Sequence, residues 1–268
     1  MPEGHTLHRL ALDLTSAFGG RIVSVTSPQG RFADSAAVLD QTRMVEATAH
    51  GKHLFCEFGG DRFLHVHLGL IGKFMIGPEE PPWGEVRVRI AADGRVADLR
   101  GPQLCAVVTR TEVDAVIAQL GPDPLRPDAD PELAWRRIRR ATRPIAALLM
   151  DQTILSGVGN VYRAEVLFRN RVNPQRPGNL LSRRSWLGIW SDLVELMPEG
   201  VRDNRIDTIR PEHTPEAMGR PPRRDDHGGE VYVYRRTGLP CWICGSKVRT
   251  ELLAGRNLFW CGRCQRRG

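Results

Sequence analysis

Four cysteines in two Cys-x-x-Cys pairs constrain this chain more than any other feature. Cys241-Trp242-Ile243-Cys244 and Cys261-Gly262-Arg263-Cys264 are separated by 16 residues. Each pair puts two thiolates on one tight turn, and two such turns complete a tetrahedral Zn2+ site. The competing reading is two disulfides or unbound thiols. A reducing compartment disfavours disulfides, and a segment with so few apolar residues needs a staple. Four thiolates leave no position for a reactive water, so the expected role of the zinc is structural. Cys56 and Cys105 fall in strand-like runs and read as buried apolar residues rather than ligands. Between the pairs, Val248–Leu253 and Leu258–Trp260 read as a hairpin around Ala254-Gly255-Arg256-Asn257, with Arg256 projecting from its tip. An arginine there either grips a phosphate with both nitrogens or is a solvated turn residue.

Charge points the same way. Residues 1–132 carry 13 Lys/Arg against 18 Asp/Glu, a net of −5, and residues 133–268 carry 25 against 13, a net of +12. A basic half on a chain of net +7 is the footprint of a polyanion partner, although a plainly solvated arginine surface gives the same count. Only Lys52, Lys73 and Lys247 are lysines. Lysine, unlike arginine, can lose its proton and do chemistry. Hydrophobic residues at 41% exclude general disorder, and the longest uncharged apolar run, Ile145–Met150, is far short of the roughly 20 residues of a membrane helix. No secretory pattern follows Met1-Pro2-Glu3, so a cytosolic protein is expected.

Hydrophobic periodicity divides the chain. Pro2 to Phe18 repeats at helical spacing and stops at Gly19-Gly20. From Arg21 to about Val113 the period is two, with strands expected at Ile22–Val25, His53–Phe58, Phe63–Leu68 and Val86–Ile90, as in a sandwich or barrel. The stiff stretch Gly121–Pro127 marks a boundary. Helices are expected over Glu132–Arg140, Pro144–Gln152 (with Pro144 at the first helical position), Val161–Arg169 and Ser182–Met197. Residues 203–230 are polar and aperiodic, which predicts a mobile loop.

Two further features admit a chemical reading. Asp151–Arg163 joins two helical patterns through a glycine-rich turn, with Asn160 expected to cap the second helix. Such a start can hold a phosphate, or be a plain helix–turn–helix with an Asn cap. Removal of Met1 before proline would expose a secondary amine at Pro2. An α-amino group titrates near neutrality and is nucleophilic when unprotonated. Attack on a sugar C1′ would give an iminium, and Glu3 could protonate the opening ring. The bland alternative is a first-turn proline followed by a dipole-favoured acid.

Taken together these pieces resemble the formamidopyrimidine-DNA glycosylase / endonuclease VIII family over the whole chain. The matching residues are Pro2-Glu3-Gly4, Gly51-Lys52-His53, His67-Leu68-Gly69, Asp98-Leu99-Arg100-Gly101, Asp151–Tyr162 and the four-cysteine finger with Gly255-Arg256-Asn257. The combination outweighs the bland readings of Pro2, Asn160 and Arg256. It implies an α+β fold: an N-terminal helix plus β-sandwich (2–120), a helix-two-turn-helix domain (128–225) and a C-terminal zinc finger (231–268). It also implies a monomeric bifunctional base-excision enzyme acting on damaged double-stranded DNA, with no membrane partner.

By this likeness Pro2 is the Schiff-base nucleophile and Glu3 the general acid. Lys52 contacts phosphate and assists the first elimination. Asn160 and Arg256 clamp phosphates, Arg256 assisting the second elimination. Leu70 is the wedge filling the hole left by the flipped nucleotide, Arg100 faces the orphaned base, and His67 is a phosphate contact. Pro102 stands where the guanine-acting branch has an aromatic, and Pro2-Glu3-Gly4-His5 looks like the endonuclease VIII branch. Oxidised pyrimidines are therefore the expected substrates. A formamidopyrimidine/8-oxoguanine enzyme of the same family and a non-catalytic zinc DNA-binding relative are the alternatives. A zinc RNA-binding protein leaves the N-terminal residues unexplained.

Overall fold

The computed structural model describes residues 2–224 and 229–266; Met1, residues 225–228 of the expected 203–230 loop, and the last two residues of the expected finger lie outside this range. The chain divides into two compact units, 1–119 and 120–268, each α plus β.

In the first unit α1 (Gly4–Phe18) is followed by β1 (Ile22–Thr26), α2 (Ala33–Leu39), β2 (Thr42–His50), β3 (His53–Phe58), β4 (Arg62–His67), β5 (Lys73–Pro78), β6 (Val86–Ala92), β7 (Arg95–Arg100), β8 (Leu104–Val108) and α3 (Arg110–Gln119). The strands run in the order β5-β7-β6-β1-β2-β3-β4-β8. β1 is the corner strand, because Ile22 and Val23 pair with β2 while Ser24 to Thr26 pair with β6. The ladder therefore folds into two layers over one core. Leu54, Cys56, Leu64 and Val66 of one layer join Phe74, Val88, Ala97 and Leu99 of the other, with Leu7, Leu14 and Phe18 of α1. Alternation along β3 and β4 sends Phe55 and Phe63 to the opposite face, where Val113 of α3 covers them. The helices α2 and α3 interrupt what the alternating pattern presented as continuous strand structure. Each is short and buries few residues, Ala36 and Leu39 of α2 and Val113 of α3, so neither sets up a clear 3.6-residue period.

The second unit contains α4 (Pro131–Ile138), α5 (Ile145–Leu148), α6 (Asn160–Arg169), α7 (Arg183–Asp203), α8 (Pro215–Met218) and the hairpin β9 (Arg249–Leu253) and β10 (Arg256–Trp260). Asp130 caps α4 by accepting from Glu132 N–H at 2.9 Å, and Ser182 caps α7 by accepting from Ser185 N–H at 3.1 Å. α5 is much shorter than the expected Pro144–Gln152 helix, and Pro144 is its cap rather than its first residue. Asp151 accepts from the Thr153 N–H and hydroxyl, an Asx-type turn that competes with continued helix. The stretch 203–230 has more structure than its polarity suggested: short helical turns at Pro211–His213 and Pro215–Met218, and an Arg220–Glu230 ion pair at 2.6 Å. Leu258, Phe259 and Cys261 of the four-cysteine segment share one core with Ile145, Tyr162 and Trp186 of the helical segment.

Glu165 of α6 is a heavily bonded polar group of this unit. It is fully buried, and its carboxylate accepts from the backbone N–H groups of Tyr232, Val233 and Tyr234 at 2.7–2.9 Å and from the Thr208 hydroxyl at 2.6 Å. Every acceptor position faces a donor, so an amide in its place would meet N–H with N–H. Glu165→Gln should therefore lower the unfolding free energy by roughly 2–4 kcal/mol, measured by urea denaturation.

Candidate active site and nucleic-acid interface

Within the first unit, the expected residues cluster at ends and turns. Pro2 is half-buried immediately before α1, and Glu3, the N-cap, is completely buried. Glu3 N–H donates to Thr6 Oγ1 at 3.4 Å while its side chain accepts from the Thr6 N–H. This reciprocal box fixes the first turn and with it the direction of the chain at Pro2. Lys52 lies with Gly51 in the two-residue turn joining β2 to β3, half-buried, where Gly51 supplies a φ of 58°.

At that same end of the sheet stand histidines that sequence reasoning did not group. His53 opens β3 opposite His67, the last residue of β4. His53 Nδ1 lies 2.9 Å from His65 Nε2, and His65 stacks on Phe55 with ring centroids 4.6 Å apart. The clue was present as alternation: His65 and His67 are two apart, as are His53 and Phe55. Burial, reinforced by the neighbouring rings, pulls His53 down to about 3 and His65 to about 4. Burial and Lys52 lower His67 as well. Gly69 N–H donates to His67 Nδ1 at 3.1 Å, which leaves Nε2 as the protonated nitrogen of a neutral ring.

The loop after β4 carries Leu70, 57% exposed, and Ile71, 80% exposed. Gly72 N–H closes the loop onto Leu68 O at 3.0 Å. Gly69 has a φ of +69°, and a Cβ there would come within 2.8 Å of Gln103 Cβ, so this turn requires glycine. Arg100 ends β7, paired with Lys73 of β5, and its Nη2 donates to Asp98 at 2.9 Å.

In the second unit Asn160 does not cap α6. Gly159 holds the cap position, and Asn160 is the first helical residue, buried, donating from Nδ2 to Asn257 O at 3.0 Å. Arg163, one turn on and also buried, bonds Asn160 Oδ1 and donates to Asn257 O at 3.2 Å. Asn257 is the neighbour of Arg256, so two residues 96 apart in sequence, Asn160 and Arg256, are held through one carbonyl. Arg256 is not at the hairpin tip. It opens β10 opposite Leu253, half-buried, and the tip is Ala254-Gly255, both at positive φ as this hairpin turn requires. Gln152 ties the preceding turn, donating to Met150 O and Val158 O and accepting from Gly157 N–H at 3.0 Å. Arg163 and Gln152 were missed because nothing local in the sequence distinguishes them from surface residues.

The four cysteine Sγ atoms lie within 4.8 Å of one another, Cys241–Cys264 at 3.9 Å and Cys244–Cys261 at 3.4 Å. A disulfide would need about 2.05 Å, whereas the edge of a tetrahedral zinc–thiolate site is about 3.8 Å. These residues fit a metal ion and not two disulfides. Cys56 and Cys105 lie in or against the first unit's core, and burial pushes both thiols up to about 12, which makes them inert at neutral pH.

Residues 1–108 match the family model described as the formamidopyrimidine-DNA glycosylase N-terminal domain, and residues 120–210 the model of the formamidopyrimidine-DNA glycosylase H2TH domain. The chain belongs to the formamidopyrimidine-DNA glycosylase / endonuclease VIII family. It is 51% identical to "Endonuclease 8 1" of Mycobacterium tuberculosis, over 99% of this chain and 100% of that protein. It is 31% identical to a "DNA-(apurinic or apyrimidinic site) lyase" of Mycolicibacterium smegmatis over 99% of both. Among solved structures, the MutM (Fpg) protein of Thermus thermophilus aligns with a TM-score of 0.77 at 27% identity over 98% of both chains. Lactococcus lactis Fpg in complex with abasic-site DNA shares the fold, with a TM-score of 0.80 at 21% identity over 99% and 100%. No helix among the described residues is long and apolar enough to cross a membrane.

The histidines set a pH dependence. Unfolded histidines take up protons near pH 6.5, while His53 and His65 in the folded protein resist protonation until about 3 and 4. Their contribution is thus complete above pH 6.5 and declines as pH falls towards 4. Urea unfolding at pH 7, 6 and 5 should show this decline, and His65→Gln should flatten it.

Proposed function

We propose that this member of the family excises oxidised pyrimidines from damaged double-stranded DNA and cuts the strand by β,δ-elimination through an iminium on Pro2. Family membership gives the chain its coarse activity, that of a DNA glycosylase and apurinic/apyrimidinic lyase. The observation that carries the mechanism is Pro2-Glu3 set at the head of α1, with the buried Glu3 carboxyl fixed one residue from the Pro2 nitrogen.

Once Met1 is removed, the unprotonated Pro2 amine attacks C1′ of the damaged nucleotide. The glycosidic bond breaks, the base leaves with its bonding electrons and takes up the proton that the amine nitrogen sheds, and Glu3 protonates O4′ as the sugar ring opens. The cationic imine then acts as an electron sink. Loss of a C2′ proton expels the 3′ phosphate, with Lys52 assisting, and a second elimination expels the 5′ phosphate, with Arg256 assisting. Water releases the sugar remnant and regenerates the amine. Asn160, Arg256 and the Nε2–H of His67 serve as phosphate donors, Leu70 fills the vacated stack, and Arg100 meets the orphaned base.

Pro102 and the Pro2-Glu3-Gly4-His5 start favour pyrimidine lesions, as does 51% identity to a protein named endonuclease 8. Identity of 30% to the "Formamidopyrimidine-DNA glycosylase" of Thermus thermophilus supports the second reading, 8-oxoguanine or formamidopyrimidine lesions. Borohydride trapping on duplexes with thymine glycol or 8-oxoguanine decides between them. The stronger adduct is expected on thymine glycol and should be lost in Pro2→Gly. A stronger adduct on 8-oxoguanine would move the chain to the other branch, and no adduct on either, with Met1 shown absent by mass spectrometry, would leave a DNA-binding relative.

Zinc is the metal we assign to Cys241, Cys244, Cys261 and Cys264, where it would stiffen the hairpin that carries Arg256 and Asn257. Metal analysis should give about one zinc per chain from the four-thiolate stoichiometry. Cys261→Ser should lower that content and weaken binding to abasic-site DNA.

A further inference from the structure

Trp83 is the single tryptophan of residues 1–119 and the one aromatic among the exposed large hydrophobic side chains of the described residues. It lies between β5 and β6 with 65% of its surface in solvent. Such exposure leaves a large apolar ring in water, and an isolated case would need no explanation. This ring, however, is built into a scaffold. Arg100 stacks its guanidinium on the indole, Cζ 4.2 Å from the ring centroid, and donates from Nε to Trp83 O at 3.1 Å.

Arg100 is fixed in turn by Asp98, which is buried and held from the other side by a two-pronged bond from Arg89 at 2.7 and 2.8 Å. Arg89 also donates to Glu80 O at 2.8 Å, so the same pair of arginines pins the loop that carries Trp83. The exposed Ile71 borders this group, since a Cβ on Gly101 would lie 3.8 Å from its Cγ1. One rim of the unit thus presents an aliphatic projection, Leu70-Ile71, beside a cation-backed aromatic plate.

We propose that Trp83 is a base-stacking residue: its indole, carried on Arg100, takes the face of the base left unpaired opposite an extruded nucleotide. The proposal rests on the glycosylase reading above, because extrusion is what leaves a base without a partner. An aromatic plate accepts any base, since every base offers a π-face, and loss of one such stack weakens binding by about tenfold or more. Leu70 enters the gap where the nucleotide was, while Trp83 engages the remaining base, so the two are separate contacts.

The test is a cycle between side chain and base. Wild type, Trp83→Ala and Trp83→Phe are titrated by fluorescence anisotropy, at one salt concentration, against two duplexes. One carries a tetrahydrofuran abasic analogue opposite a normal base, and the other carries the analogue on both strands at that position. On the first duplex Trp83→Ala should bind about tenfold more weakly, with most of the loss restored in Trp83→Phe. On the second duplex all three proteins should bind alike, because there is no base to stack on. Equal loss on both duplexes would overturn the proposal, because the loss would then not depend on a base, and no loss on either would overturn it outright. A wild type that does not prefer the first duplex to intact DNA would overturn the glycosylase reading itself.

Discussion

A buried carboxylate that receives three consecutive backbone N–H groups is the constraint on which the second unit depends. Glu165 replaces water for Tyr232, Val233 and Tyr234 at once, and so fixes the strand of chain that leads into the four cysteines. One turn earlier on the same helix, Arg163 and Asn160 seize Asn257 at the far side of that segment. One turn later, Arg169 reaches Thr208 O and Asp192 of α7 at 2.7 and 2.8 Å. α6 is therefore a spine with polar contacts at three levels, each to a different part of the chain. A finger of this size cannot bury a core alone, and here it adds its apolar residues to the helices' core instead.

The first unit solves a different problem. Its functional candidates lie outside the sandwich core, on the turns and strand ends where the ladder leaves backbone free to approach a ligand. The layers supply rigidity, and the corner strand β1 lets one ladder cover both faces of a single core. Glycines at 51 and 69 then permit the sharp reversals that present Lys52 and Leu70. The neutral histidines beside them make a hydrogen-bonded, poorly charged floor, so the cationic character of this end rests on Lys52, Lys73 and Arg100 rather than on imidazolium.

Much of this was legible in one dimension. Alternation located β1, β3, β4 and β6 within a residue or two, the 3.6-residue period located α1, α4, α6 and α7, and the cysteine spacing located a metal-sized cluster. Those signals are local, because each arises from residues that contact one another within a turn or across a hairpin. The failures have different causes. α5 ended early because Asp151 bonds its own neighbours, Arg256 left the tip because Ala254-Gly255 form a two-residue turn, and Asn160 took a place that a local reading could not assign, since its partner Asn257 is 97 residues away. The helices α2 and α3 were too short, and buried too few residues, to set up a period.

The sequence by itself determined the chemistry available: a proline-glutamate start, a rare lysine, four thiolates and a basic second half. Residue type and spacing are enough for that, because nucleophilicity, charge and ligand softness belong to side chains. Only the tertiary structure decided which of these groups are oriented. It buried Glu3, neutralised the histidines, bound Asn160 and Asn257 together, and set Trp83 on Arg100. Such outcomes depend on solvent exclusion and on hydrogen-bond partners remote in the chain, and neither quantity is carried by any short stretch of sequence.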